Sequence, residues 1–256
     1  MGEAGIAITA QLLPGLRLEL DVQTVIAQAE NVTAGRGISV ADYQRLQVAG
    51  IDGFTSGNHI FDNREIYPQL NDPDTPITRP ANYPVGTPGL EYKYLNTAEG
   101  RILIISLLGQ IVGKQGSQTL DNPLNTVDRI LAAEQTTDKL ATIVNFHGDF
   151  SSEKVIIGHY LDGRVTAVIG DHWHIPTADA RLLPKSTAHI TDVGMCGALN
   201  SSLGVTFASV VPRWRDGLQS RNILEMAGPR QFNAVLVTVN AQGLASSIEQ
   251  IQRQLD

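Results

Sequence analysis

Val165-Thr166-Ala167-Val168-Ile169-Gly170-Asp171-His172-Trp173-His174 decides how this chain reads. The β-branched and apolar run predicts a buried strand, and its carboxyl end delivers two of the six histidines. Side chains at i and i+2 of an extended chain project to the same side, so the spacing predicts both imidazoles facing one small volume. That is metal-ligand spacing. A second polar strand end, Gly57-Asn58-His59, lies far upstream.

Outward from that stretch the same unit recurs. Strands are predicted over residues 22–27, 51–55, 101–108, 141–146 and 165–169, each an apolar or β-branched run. Helices are predicted over 4–13, ended by Pro14-Gly15, over 39–48 with Ser39 as N-cap and Gly50 as stop, over 123–133, and over 151–161 with Ser151 as N-cap. Strands alternating with helices predict a layered α/β fold, in which sites lie beyond the strand carboxyl ends. Four of those ends carry Glu30-Asn31, Asn58-His59, His147 and His172/His174. The proline-rich residues 71–89 read as an ordered loop. Beyond Asp192 the pattern predicts strands over 203–211, 223–226 and 232–239, a turn over 240–243, and an ambiguous last segment, 246–255.

Composition narrows the classes. With 256 residues, 42% hydrophobic and 18% charged, the chain reads as one globular domain spanning 1–256. A net charge of −7 with no basic stripe argues against coating a polynucleotide and leaves room for a small anionic substrate. One cysteine, Cys196, excludes an intramolecular disulfide framework and fits a reducing compartment. No apolar run approaches the ~18 residues of a membrane span. The first basic residue is Arg17, unlike a secretory leader, so a cytoplasmic protein is expected.

Imidazole, carboxylate and amide oxygen without thiolate suit Mn, Fe or Zn. A two-ion centre needs a bridging anion, and Glu30 is the candidate. Asn58, His147 and His172 then complete one ion, while His174 serves the other. Two ions roughly 3.5–4 Å apart activate a bridging water and clamp a phosphoryl group for in-line displacement. His59, beside a ligand, is the candidate acid for the leaving alkoxide. Asp149 and Asp171 read as loop acids or partners to histidine, His159 and His189 as structural, and Cys196 as a small buried residue. Gly35-Arg36-Gly37 either touches phosphate or simply bends the chain.

These residues resemble the calcineurin-like metallophosphoesterases and, more narrowly, the bacterial YmdB-type phosphodiesterases. The narrower likeness rests on Ala29-Glu30-Asn31, Gly57-Asn58-His59 with Asp62, Arg79-Pro80-Ala81-Asn82-Tyr83-Pro84 with Gly86-Thr87-Pro88-Gly89, and Phe146-His147 with Ser152-Glu153-Lys154. It continues through Asp162-Gly163-Arg164, Thr177-Ala178-Asp179, Leu183-Pro184 and Thr191-Asp192-Val193-Gly194-Met195 with Gly197. The resemblance implies a four-layer α/β fold, two divalent or trivalent ions, Mn or Fe, and hydrolysis of small phosphodiesters, cyclic nucleotides among them. By the same resemblance Glu30 bridges, Asn58, His147 and His172 hold one ion, His174 with Asn31 holds the other, and His59 is the acid.

The family opens with a strand ending in Gly-Asp, two further residues and Gly, whose aspartate binds the first ion. Met1-Gly2 fits the last two positions of that motif, so the expectation is a fold short of its first strand and one ligand. Either the natural chain starts earlier, or the protein lacks both. Unpaired edges and exposed apolar surface would then promote self-association. Trp173 between the histidines and Asn200, where the family tends to have an acid, are further departures that bear on substrate preference. Two readings compete with the enzyme: a regulatory or binding module of this fold with one ion or none, and a phosphomonoesterase.

Overall fold

The computed structural model describes residues 1–112, 116 and 119–256. In chain order the elements are α1 (Gly2–Glu19), β1 (Ile26–Gln28), α2 (Val40–Val48), β2 (Gly53–Thr55), α3 (Tyr67–Asn71), β3 (Tyr92–Asn96), β4 (Arg101–Leu108), α4 (Pro123–Ala133) and β5 (Ala141–His147). They continue with α5 (Ser151–Tyr160), β6 (Ala167–Asp171), β7 (Arg181–Leu182), β8 (Ala188–Ile190), β9 (Gly197–Ala198), α6 (Phe207–Asp216), β10 (Arg230–Val239) and β11 (Ala245–Leu255).

Among the described residues the strands form three sheets. The largest has the order β3-β4-β5-β6-β8-β7, parallel from β4 through β8 and antiparallel at both edges. A parallel pair, β1-β2, and an antiparallel set, β11-β10-β9, complete the strands. Successive residues of β4 point to opposite faces, yet all but Arg101 are buried, because both faces are covered. On one face Leu103, Ile105 and Leu107 meet Val127 and Ile130 of α4 and Ile157 of α5. On the other, Ile102 and Ile104 meet Ile26 and Val239, side chains of the smaller sheets. The outer side of those smaller sheets, Phe54, Phe232 and Ile251, packs on Ile6, Ile8, Leu13, Leu16, Tyr43 and Leu46 of α1 and α2. The result is a helix, sheet, sheet, helix sandwich, the layered mixed α/β class that the sequence predicts.

Several elements depart from their predicted bounds. Helix α1 runs through Pro14 to Glu19 instead of stopping at residue 13. Pro14 and Ala10 both lie on its exposed side, so the carbonyl deprived of its partner faces solvent. The predicted strand over 203–211 is instead an isolated bridge followed by α6, whose start is fixed by Thr206 accepting from the Ser209 amide. Residues 223–226 contribute only an isolated bridge at Leu224. Phe150, not Ser151, is the N-cap of α5, and no side chain caps it. The ambiguous last segment is the long strand β11, paired with β10 across nearly its whole length.

Strand β1 pairs with β2 alone, and β10 beyond Gln231 pairs with β11 alone, so each presents one unpaired edge among the described residues. No described helix is long and apolar enough to cross a membrane.

Pro14→Ala restores a helical N–H at an exposed position, so it should stabilise the protein by about 1–3 kcal/mol with unchanged denaturant dependence. Chemical denaturation followed by circular dichroism measures it; an unchanged midpoint refutes this account of α1.

Candidate metal centre and active site

The carboxyl ends of β1, β2, β5 and β6 converge. Glu30 follows β1, Asn58 and His59 open a 3-10 turn after β2, His147 is the last residue of β5, and His172 directly follows β6. Glu30 is buried, and its two carboxylate oxygens accept the backbone amides of Gly57 and His59, each at 2.7 Å. One buried anion thereby ties the first strand end to the second.

His147 Nε2 lies 3.1 Å from Asn58 Oδ1 and 3.6 Å from Glu30 Oε1, and its ring is 4.5 Å, centroid to centroid, from that of His172. Its Nδ1 faces Asp171 Oδ2 at 3.0 Å, because the parallel register places His147 beside Asp171. Asp171 is thus a partner that orients a histidine, one of the two roles the sequence allowed it. On the opposite side His174 Nε2 lies 3.1 Å from Asn31 Oδ1. The turn at Gly35-Arg36-Gly37 bends and braces: Gly35 O accepts from Asn31 Nδ2, which leaves the amide oxygen of Asn31 aimed at His174.

One sequence expectation needs correction. His172 and His174 do not lie on an extended strand, since β6 ends at Asp171 and both residues adopt positive φ, 102° and 65°. Their directions come from a strained turn, held from below, and not from strand alternation. Trp173 is turned into the scaffold, its indole N–H donating to Asp149 O at 3.0 Å and its face 4.0 Å from Lys154 Nζ.

The electrostatics follow from burial. Burial raises the Glu30 carboxyl above its usual value, opposed by the imidazoles of His147 and His59. At His147 burial disfavours the proton, but Asp171 and Glu30 outweigh it and lift the pKa to about 9. Burial pushes Asp171 upward, yet the His147 charge beside it wins and holds the carboxyl below the usual range. Burial drives His172 and His174 down to about 4 each, with His147 adding to the effect at the first and the chain's amino terminus at the second.

The donors suit a hard or borderline ion. Ligands sharing an ion at ~2.0–2.2 Å stand roughly 3–3.6 Å apart, and the His147–Asn58 and His147–Glu30 separations of 3.1 and 3.6 Å are of that size. His172 directs Nε2 to Asp149 Oδ1 at 3.1 Å, which leaves its Nδ1 for an ion. Among the described residues no group of three or more His, Cys, Asp or Glu is placed so as to hold a metal ion.

His59 Nδ1 faces Asp62 Oδ2 at 2.8 Å, and Arg36 stands 3.7 Å from the same oxygen. Asp62 was legible as a motif position, but its partnership with His59 was not. Gln28 was missed altogether: its Oε1 accepts the Glu30 amide while its Nε2 lies 3.5 Å from His147 Nδ1. His189 is buried with Nδ1 at 3.1 Å from Val168 O and His159 is on the surface, so both stay outside the site. Cys196 is half-buried, 3.6 Å from Asn233 O, and burial raises its thiol pKa.

Two stacked sheets whose strand ends bring carboxylate, amide and imidazole donors together define the metallophosphoesterase class. The family model described as YmdB-like protein matches residues 1–251, and the chain belongs to that family of phosphoester hydrolases. It is 33% identical over 243 residues to a 2',3'-cyclic-nucleotide 2'-phosphodiesterase of Bacillus subtilis, covering 94% of this chain and 89% of the relative. Among solved structures, a hypothetical protein from Thermus thermophilus superposes with a TM-score of 0.89 at 33% identity, covering 99% of this chain and 96% of that one. A phosphatase from Mycoplasma pneumoniae superposes at 0.90 with 29% identity, covering 99% and 90%.

A Cβ on Gly57 would stand 2.6 Å from the His147 ring and 2.7 Å from Glu30 Oε2. Gly57→Ala should therefore lower turnover by about 100-fold or more while the protein still folds, since a displacement near 1 Å costs about that much. Steady-state kinetics beside a thermal melt tests it; near-parental turnover would show that the two groups do not act together.

Proposed function

We propose that the chain hydrolyses small phosphodiesters, cyclic nucleotides among them, at a two-metal centre held by Glu30, Asn31, Asn58, His147, His172 and His174. The observation that carries this reading is the convergence of Glu30, Asn58 and His147 from three strand ends into one buried cluster. The activity named for the Bacillus subtilis relative, which this chain matches over 94% of its length, supports the substrate class.

The ions, Mn or Fe by the donor chemistry, would supply a water nucleophile at neutral pH and charge to stabilise the phosphoryl oxygens. The chain's own groups do the rest. Glu30, anchored by two amides, would be the ligand common to both ions; Asn58, His147 and His172 would hold one, and His174 with Asn31 the other. Asp171 and Asp149 fix ring orientation by accepting from the histidine nitrogens turned away from the ions. His59 is the acid: Asp62 accepts from Nδ1 and fixes the ring, leaving Nε2–H to protonate the leaving oxygen. The substrate is a small soluble nucleotide, met in the cytoplasm; no polynucleotide surface is invoked, and the free edges of β1 and β10 are where self-association would occur.

A second reading has an observation of its own. No three His, Cys, Asp or Glu side chains among the described residues are poised together for an ion, which favours a binding module with one ion or none. Metal content separates the two: near two ions per chain after loading supports the enzyme, and one or fewer supports the module. Comparing a bis-aryl with a mono-aryl phosphate separates the phosphodiesterase from the phosphomonoesterase.

With Mn²⁺, His59→Ala should reduce hydrolysis of a 2',3'-cyclic nucleotide by about 10²–10⁴-fold, and hydrolysis of an aryl ester much less, because an aryloxide needs no acid. Equal losses on both substrates would overturn the assignment of His59.

His147, with its pKa at about 9, is protonated at neutral pH and must lose that proton to serve as a ligand. His172 and His174, at about 4, are already neutral. Loading Mn²⁺ at pH 7.5 should therefore release about one proton per chain, read by calorimetry in buffers of different ionisation enthalpy. Release of none would remove His147 from the ligand set.

A further inference from the structure

Lys154 and Asp192 are each 0% exposed at the side chain, and their charges meet at 2.9 Å beneath the turn that carries the two histidines. Neither belongs to the ligand set or to the acid pair. Lys154 projects from α5 and donates to Asp171 O, the last residue of β6, and to Asp192 Oδ2. Its Nζ also lies 4.0 Å from the Trp173 ring. Asp192 Oδ2 accepts in addition the backbone amide of Trp173 at 2.8 Å, and its Oδ1 accepts that of Gly194 at 2.9 Å. All three residues, Lys154, Trp173 and Asp192, are thus fastened to one another at the point where the chain leaves β6.

What they hold is a turn that would not hold itself. His172 and His174 sit at φ 102° and 65° on either side of Trp173, a conformation that is strained for a residue with a side chain. Such strain persists only when the surroundings over-determine it. Trp173 is the residue between the two, and its main-chain amide, ring face and indole N–H are all engaged.

We propose that Lys154 and Asp192 are positioning residues for the reaction: a buried cation–carboxylate pair that, through Trp173, sets the directions in which His172 and His174 point. The pair acts on both proposed ion sites at once, since His172 serves one and His174 the other. The inference rests on the proposed metal centre. A buried pair of this kind is weak evidence of stabilisation, because desolvation offsets most of the attraction, and a role in specifying geometry accounts for it better.

The test uses Lys154→Met, which keeps length and removes charge, and Asp192→Asn, which keeps an oxygen acceptor at nearly the same shape. Val127→Ala, in the core between α4 and the large sheet, is the control for simple destabilisation. Two quantities are read on folded protein well below Tm: the Mn²⁺ dissociation constant, and the ¹⁵N-histidine resonances of the metal-free protein. The expected result is a rise of tenfold or more in Kd for each of the two variants, with displaced His172 and His174 resonances. Val127→Ala should lower Tm and change neither. If Lys154→Met does not fold, Asp192→Asn decides alone. Parental Kd and parental histidine resonances in folded Asp192→Asn would overturn the proposal. A parent that hydrolyses no phosphodiester would refute the earlier functional reading while the histidine resonances still test this one.

Discussion

The Glu30 carboxylate is the interaction on which the site depends. An ionised carboxylate taken out of water costs several kcal/mol unless its oxygens are met by donors. Here the amides of Gly57 and His59 meet both oxygens at 2.7 Å, and those amides exist in the right place only because β1 and β2 run parallel in register, Ile26 beside Gly53 and Gln28 beside Thr55. Each charge-assisted bond is worth about 1.5–3 kcal/mol, so two of them, with His147 nearby, offset much of the burial cost. The loop after β2 then has no freedom to wander, and Asn58 and His59 are delivered to fixed positions. Gly57 has no side chain for a steric reason, since the space a Cβ would take is filled by His147 and Glu30.

A layered sandwich brings such constraints together without long loops. The large sheet contributes His147 and the turn after β6, the smaller parallel pair contributes Glu30 and Asn58, and the apolar layer between them sets their separation. Ile102 and Ile104 of β4, packed on Ile26 and Val239, are part of that layer. Interiors pack at near-crystalline density, so a layer of this kind transmits a change of one methylene to the donor groups at its edge. The histidine turn is the exception to this regularity. It is strained, and it is braced by charge and hydrogen bonding instead of by sheet geometry.

Much of the architecture is legible in the sequence. Continuous apolar runs located β4 and β5, a helical stretch closed by Gly50 located α2, helical periodicity located α4, and the polar strand ends marked all seven residues proposed here as ligands or acid. Ser39 caps α2 as its sequence position implied, accepting from the Asp42 amide at 3.0 Å. The errors have physical causes. Residues 203–211 look like a strand because valine and threonine favour one, but Thr206 caps a helix that begins at Phe207. Pro14 was read as a terminator, yet on a solvent-facing side a proline removes a bond that water replaces. The short strands β7, β8 and β9 were missed because two or three residues carry no periodic signal.

By itself the sequence determined which chemistry was available: donors of nitrogen and oxygen without sulfur, placed at the ends of strands, in a chain apolar enough to bury them. Those properties are local, set by residue type and by the period of the pattern. Only the tertiary structure decided which donors share a volume, that Asp171 and Gln28 attend His147, that Asp62 attends His59, and that Lys154, Trp173 and Asp192 lock together under the histidine turn. Each of those pairings except Asp62 with His59 joins residues from different elements, and no rule of spacing along the chain encodes a contact that strand register and layer packing create.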